Sequence, residues 1–491
     1  MTGAPGAVPG GPPRAGGAAG TAPDMPGGRT AGARAPAAGR GPAPRRVWCE
    51  WAWTGAGDGS PEYGVLVETA GGRITAVSPG AVAPAGAETL TGLTLPGLAN
   101  AHSHAFHRAL RGRTHTGGGS FWTWREAMYL VADRLDPDTY LRLARAAYAE
   151  MALAGVTCVG EFHYLHHAPG GTRYADPNAM GAALVRAAAE AGLRITLLDV
   201  CYLSGGLDPG GAHRPLEGAQ RRFGDGDAAR WADRAAGFAP VGDHALAGAA
   251  VHSVRAVPAA QLPDVVAYAA DRDAPLHAHL SEQPAENAAC LAAYGRTPAR
   301  VLDDAGALTP RTSLVHATHL TDDDVGAVRL SGATVCLCPT TERDLADGLP
   351  RTGDLLPAPI TLGTDQHAQL DLFEEARAVE LHERLRTHRR GTLGTGALLR
   401  AATAHGHASL GWEDAGALRA GARADLVNIP LEGVRLAGAD PARAADAVVF
   451  AASATDVRHV MADGRWTVRD GVHTLVPDTA HELDTVIKEI H

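Results

Sequence analysis

Lysine is almost absent from this chain. Of 44 basic residues in 491, one is a lysine, Lys488, and the rest are arginines. Cysteine is sparse too: the six, at 49, 158, 201, 290, 336 and 338, form no CxxC pair. That excludes a zinc ribbon or a dithiol redox motif, and it reads as buried thiols in a reducing compartment. Cys336 and Cys338 stand two apart on an expected strand, so both face one side as packing residues. No run of about 18 apolar residues occurs, which excludes a membrane-spanning helix. Positive charge is not in excess, because 54 acidic residues give a formal net charge of -10. A general attraction for nucleic acid or an anionic membrane is thereby excluded. An anionic small-molecule substrate would have to be held by a few placed arginines.

Residues 1–45 carry almost no aliphatic side chain larger than alanine. Such a Gly/Ala/Pro/Arg segment cannot bury enough surface to fold, and it lacks the apolar stretch of a signal peptide. The expectation is a disordered tail on a cytoplasmic protein.

From Val47 the pattern changes. Short runs with strand character (VWCEWAW, GVLVETA, RITAVSP, ETLTG) alternate with turn residues. Similar runs return near the end as ADLVNIP, AVVFAAS and VRHVMADGRWTV. The two sets are expected to pair into one small β domain, 46–95 with 413–491. Between them, apolar runs alternate with helical patterns, which implies a parallel sheet with crossover helices. Eight candidate strands are LPGLANAHSH, GVTCVGEFHY, RITLLDVCYL, LAGAAVHSV, PLHAHLSE, TSLVHATHL, ATVCLCPTT and ITLGTDQH. Asp136-Pro137 reads as an N-cap with proline at the first helical position. Leu141, Ala144, Tyr148 and Met151 then form an apolar stripe that Gly155 ends. Thr321 with Asp324 reads as a capping box. Eight β-then-α units predict an α/β fold, a (β/α)8 TIM barrel over 96–412, beside a small β-sandwich built from both chain ends.

Strand after strand ends in His, Asp or Glu. In such a barrel those ends form the active-site face. His102 and His104, two apart, present both imidazoles on one face and suit a metal. Alone, an HxH is more often a pair of exposed loop histidines; here matching groups close other strands. On the fifth strand His277 and His279 share a face, and the more distal His279 is preferred as ligand. Glu282, three residues on, is placed to shuttle a proton or is a solvated loop carboxylate. On the sixth strand, one of His316 and His319 is expected to act on the reaction and the other to be structural. The eighth strand ends in Gly363-Thr364-Asp365, where Asp365 can ligate a metal and accept a proton. Three imidazoles and one carboxylate around one divalent metal leave a position for water, which is a catalytic rather than a structural arrangement. Zinc is the expected metal, with iron an alternative. Hydroxide so generated attacks a trigonal carbon bearing nitrogen.

The block LPGLANAHSHAFHRAL, the fifth-strand HxxE and the later GTD together resemble the amidohydrolase superfamily. The strings FWTWREAMY, EFHYLHH, HSVR, LVHATHL and CLCPTTERDLADG resemble its formimidoylglutamate deiminases. The resemblance covers essentially everything after residue 46. It implies hydrolysis of N-formimino-L-glutamate to N-formyl-L-glutamate and ammonia, in histidine degradation. It assigns metal ligation to His102, His104, His279 and Asp365, makes Glu282 the proton shuttle, and makes His316 a further catalytic group. It assigns Arg125, Tyr164, His252 and Arg255 to the glutamate portion, and places His107 beside them. Arginine suits a dicarboxylate through bidentate, charge-assisted bonds. Without the resemblance, Arg125 reads more readily as a helix-surface residue and Tyr164 as a core aromatic. His107 departs from the family, which carries glutamine there, and this puts the preference among formimino compounds in question. Two-metal relatives bridge their metals through a carboxylated lysine, and with no lysine in the barrel a single metal is expected. The resemblance further implies a homodimer.

Two rivals remain at this stage. One is another deaminase of the superfamily, acting on guanine, cytosine or a related ring in a stacking pocket. The other is a non-catalytic scaffold that keeps the barrel; such proteins lose metal ligands, and here the set is complete.

Overall fold

The computed structural model describes residues 42–56, 60–115 and 121–491. The tail expected over 1–45 lies, up to residue 41, outside the described residues. Eight parallel strands form one sheet in chain order: Leu98–Ser103, Val156–His163, Arg194–Cys201, Ala245–Val251, Leu276–Leu280, Thr312–His316, Thr334–Leu337 and Ile360–Leu362. Seven fall within the runs expected from sequence, and the fourth starts one residue before its run, at Ala245. These strands are buried on both faces, as a parallel sheet covered by helices requires. Arg194–Cys201 (RITLLDVC) is buried at every position.

The sheet closes on itself beyond the last ladder. A parallel bridge joins Ser103 to Asp365. The Asp365 amide donates to the His102 carbonyl at 3.0 Å, and the His104 amide donates to the Asp365 carbonyl at 3.2 Å. One layer down, Asn100 exchanges two bonds with Thr364: its Nδ2 donates to Oγ1 at 2.7 Å and its Oδ1 accepts from the amide at 3.0 Å. Gly363 makes this approach feasible, since a Cβ there would lie 2.7 Å from the His102 Cβ. The result is a (β/α)8 barrel.

The helix Pro137–Leu153 starts as expected, with the Asp136 side chain accepting from the Thr139 amide. Its core face differs by one position: Leu143 is fully buried, whereas Leu141 is half-buried. Helix Asp322–Ser331 opens on the Thr321/Asp324 capping box.

Strands from both chain ends form a second, eight-stranded sheet, in which Leu426–Ile429 lies antiparallel to Glu88–Pro96. It folds over its own core, including Val47, Val65, Ile74, Leu90, Leu426 and Met461, as the β-sandwich. One expected strand is a helix instead. AVVFAAS lies mostly in helix Ala444–Ala451, which packs on helices Leu372–Thr387 and Thr395–Ala402. A short apolar run carries too little periodicity to separate a buried strand from a buried helix. All six cysteines are free and buried, and Cys336 and Cys338 pack with Ala101 and Val315.

Barrel and sandwich are tied by a buried ion pair. Arg194, on the third barrel strand, bonds Asp425 through Nη2–Oδ2 at 2.5 Å and Nη1–Oδ1 at 3.1 Å, and both side chains are 1% exposed. Removing one partner strands the other charge away from water. Asp425→Ala is expected to cost about 3–5 kcal/mol, whereas pairing Arg194→Met with Asp425→Leu restores most of it. Urea denaturation of the three proteins reads the difference.

Candidate active site at the barrel mouth

Four side chains from three strand ends converge at the C-terminal face. Ligand atoms of His102, His104, His279 and Asp365 all lie within 4.8 Å of one another, and all four residues are buried. Asp365 Oδ1 is 3.3 Å from His102 Nε2 and 3.2 Å from His104 Nε2, and His279 Nε2 is 3.1 Å from His102 Nε2.

The outer nitrogens fix the tautomers of two rings. His104 Nδ1 bonds the Phe162 carbonyl at 3.0 Å, and His279 Nδ1 bonds the His252 carbonyl at 2.9 Å. A carbonyl only accepts, so each Nδ1 carries the proton and each Nε2 turns a lone pair inward. Lone pairs aimed at a carboxylate and at each other need a cation between them. This donor set suits a divalent metal and leaves a coordination position for water or substrate. Burial, followed by the neighbouring charges, sets the electrostatics: His102 is pushed down to about 3, chiefly by burial and partly offset by its bond to Asp365. Asp365 is held well below the usual carboxylate range, because its bonds to His102 and His104 outweigh its burial.

The backbone at these strand ends is unusual. His316 has φ +69° and Asp365 has φ +42°. Non-glycine residues in this region cost about 1–3 kcal/mol each, and such outliers cluster at functional sites.

The alternatives left open by sequence separate here. His277 sits one layer deeper than His279 and bonds the Ser409 carbonyl at 2.9 Å. His319 bonds the Asp347 carbonyl at 2.7 Å, while His316 faces the cavity. Around His316 stand Glu342 (Nδ1–Oε1 3.5 Å), Glu282 (Nε2–Oε1 3.8 Å) and Asp365 (Nε2–Oδ2 3.8 Å). Burial opposes a charge on His316, but these carboxylates prevail and raise it to about 10.

Glu282 is 6% exposed, not a solvated loop carboxylate. Its Oε2 accepts from Arg255 Nη2 at 3.1 Å, and its amide donates to Glu286 Oε2 at 3.2 Å. Arg255 also approaches Glu286, with Nε–Oε2 at 3.6 Å. The remaining expected residues line the same cavity: Arg125, Tyr164, His252 and His107. His107 Nε2 bonds the Tyr164 hydroxyl at 2.9 Å. Burial and then His104 push His107 well below its ordinary value, so the ring is neutral.

Sequence reasoning did not single out Tyr129, Tyr202, Arg214 or Trp124, which also line the cavity, nor Glu342 beside His316. Tyr202 follows the third strand directly, and that position was the available signal. Arg214 follows a glycine-rich loop that carries no pattern.

Comparison with known proteins agrees with this geometry. The model of the amidohydrolase family matches residues 93–467, which takes in every strand of the barrel. A formimidoylglutamate deiminase of Pseudomonas aeruginosa is 39% identical over 436 residues, covering 86% of this chain and 94% of that protein. A solved amidohydrolase from Brucella melitensis superposes with a TM-score of 0.82 at 32% identity, covering 91% of this chain and 99% of that one. An adenosine deaminase from Xanthomonas campestris with bound zinc shares the fold, with a TM-score of 0.74 at 22% identity over 91% of this chain and 99% of that one. With the family match spanning the strands that bring His102, His104, His279 and Asp365 together, this chain belongs to the amidohydrolase family.

Proposed function

We propose that the protein hydrolyses N-formimino-L-glutamate to N-formyl-L-glutamate and ammonia, as a step of histidine degradation, with one divalent metal, zinc or else iron, held by His102, His104, His279 and Asp365. The observation that carries this reading is the pairing of that four-residue group with arginines in one cavity: Arg125 and Arg255 line the space into which His279 and Asp365 face. A ring-deaminase pocket has no need of guanidinium groups, whereas a dicarboxylate does. The identity to the Pseudomonas aeruginosa deiminase supports the same substrate.

When bound, the metal acidifies water and supplies a nucleophile at neutral pH. The chain's own groups do the rest. Asp365 takes the proton of the attacking water through the oxygen turned towards His316. The formimino carbon gains a C–O bond and becomes tetrahedral. Glu282 delivers one proton to the former imino nitrogen and regains one from the hydroxyl left on the carbon, Asp365 passes its proton to the same nitrogen, the bond from carbon to that nitrogen breaks, and ammonia leaves. The carbon keeps its oxygen as the formyl carbonyl, still attached to the glutamate nitrogen. Arg255 holds one oxygen of Glu282, so the other remains directed to His316 and the substrate. His316 hydrogen-bonds the charge that develops on the attacking oxygen. Arg125 and Arg255 hold carboxylates, and Tyr164 and His252 border them.

The purified protein is expected to release ammonia from N-formimino-L-glutamate, to lose that activity with a chelator, and to leave guanine and cytosine unchanged. Ammonia from the nucleobases and none from the formimino compound would overturn the reading. Glu282→Gln is expected to retain stoichiometric metal, read by elemental analysis, while turnover falls about 10²–10⁴-fold. His279→Ala removes a converging nitrogen. It should weaken zinc binding by more than the roughly 10–100-fold typical of a lost supporting partner, measured by competition with a chromogenic chelator.

A further inference from the structure

The chain leaves the sixth barrel strand through two left-handed residues, His316 at φ +69° and Ala317 at φ +50°, and it leaves the fifth through Ser281 at φ +48°. These turns set His319 against the end of the fifth strand. Its amide donates to the Ser281 carbonyl at 3.1 Å. Its own carbonyl accepts from Asn287 Nδ2, on helix Pro284–Tyr294, at 2.6 Å. Its imidazole reaches the segment that follows the seventh strand, where Nε2 donates to the Asp347 carbonyl at 2.7 Å. That carbonyl only accepts, so the proton sits on Nε2. The imidazole lies against Gly348, where an added Cβ would stand 3.3 Å from Cε1 and where φ is +123°. Only glycine is at ease in that place.

These bonds close on themselves. Ser281 is followed by Glu282 and Gln283, and Gln283 Nε2 donates to Asp347 Oδ1. The ring therefore runs from His319 to Ser281, Glu282, Gln283, Asp347 and back to His319, with Glu282 at its middle. Asp347 is buried. Burial, and then the charge of Glu282, push it well above the usual carboxylate range. It thus accepts from Gln283 as a neutral acid and does not repel Glu282. The Asp347 amide donates to the Glu342 carbonyl at 2.9 Å, which extends the ring to the short helix beside His316. Arg255 fixes one oxygen of the Glu282 carboxylate, and the ring fixes the backbone from which that carboxylate hangs.

We infer that His319 is a positioning residue, closing a hydrogen-bonded ring that sets the backbone of Glu282 for proton delivery. The inference rests on the role proposed above for Glu282. Proton delivery needs donor and acceptor at hydrogen-bond distance, and a displacement of about 1 Å costs on the order of 10²-fold in rate. A histidine that only braced its own turn would lower stability without acting through Glu282.

His319→Ala and Gln283→Ala cut the ring at two points, the second at a half-buried side chain that the fold can spare. In each, kcat for ammonia release from N-formimino-L-glutamate is expected to fall about 10–100-fold, with KM and zinc content close to wild type. His319→Gln keeps an N–H donor and should recover much of the loss. Placed on Glu282→Gln, either cut should change the residual turnover by no more than about twofold, because the proton it positions is already gone. An undiminished kcat in His319→Ala, or in Gln283→Ala should the first not fold, overturns the role of His319. So does the same fold loss in the Glu282→Gln background. Hydrogen exchange reads the ring without turnover: amides of residues 281–287 are expected to exchange about tenfold faster in either cut, and unchanged exchange overturns the ring. A wild type that releases no ammonia removes the proposed reaction and the proton-delivery role with it, while the exchange still decides whether the ring holds Glu282.

Discussion

The seam where the eighth strand meets the first decides both the fold and the site. Closing a parallel sheet requires its edge strands to satisfy each other's backbone groups. Here the closing bonds run through His102, His104 and Asp365 themselves. The same contacts that remove the sheet's edges set two imidazoles and a carboxylate around one point. Gly363 and the Asn100–Thr364 pair draw the backbones together one layer below. The left-handed backbone at Asp365 follows, since the chain must turn sharply once the seam is closed. The cost of that conformation is carried by a barrel whose strands are largely buried.

Around this seam, charge is arranged by burial and by pairing. His102 and His107 are kept neutral mainly by burial, while His316, ringed by carboxylates, is the imidazole driven towards protonation. Glu282 takes its position from Arg255 on one side and from Glu286 through its own amide on the other. In a chain with one lysine the cation that holds Glu282 is an arginine, whose planar fork fixes direction as well as charge. The protein is a hydrolase acting on C–N bonds, and that chemistry needs neutral nitrogens on the metal side and proton-carrying groups on the other.

Much of this was legible in the sequence because both features are periodic or terminal. Barrel strands show as apolar runs, and their C-terminal ends carry His102, His104, His279, His316 and Asp365, so one rule about barrels locates the mouth. Caps at Asp136 and Thr321 were equally readable, being local hydrogen bonds between near neighbours. What escaped depends on the third dimension. Most of the run AVVFAAS lies in helix Ala444–Ala451 although it looked like a strand, because so short an apolar run fits either period. Leu143 rather than Leu141 faces the core, a choice set by how the helix rolls against the sheet. Arg214 and Glu342 reach the site from loops and a short helix, where spacing implies no direction.

His107 shows how far a single departure from the family pattern can be followed. Its ring is buried against Trp124 and bonded to the Tyr164 hydroxyl, and it carries no charge. A neutral imidazole with one donor and one acceptor offers the same kinds of bond as a carboxamide. His107 thus presents a polar, uncharged wall beside His104. A cation there would compete with the metal for Asp365 and draw a carboxylate towards the reacting carbon. Positive charge in the cavity comes instead from guanidinium groups, Arg125 and Arg255 among them, as the proposed dicarboxylate substrate requires.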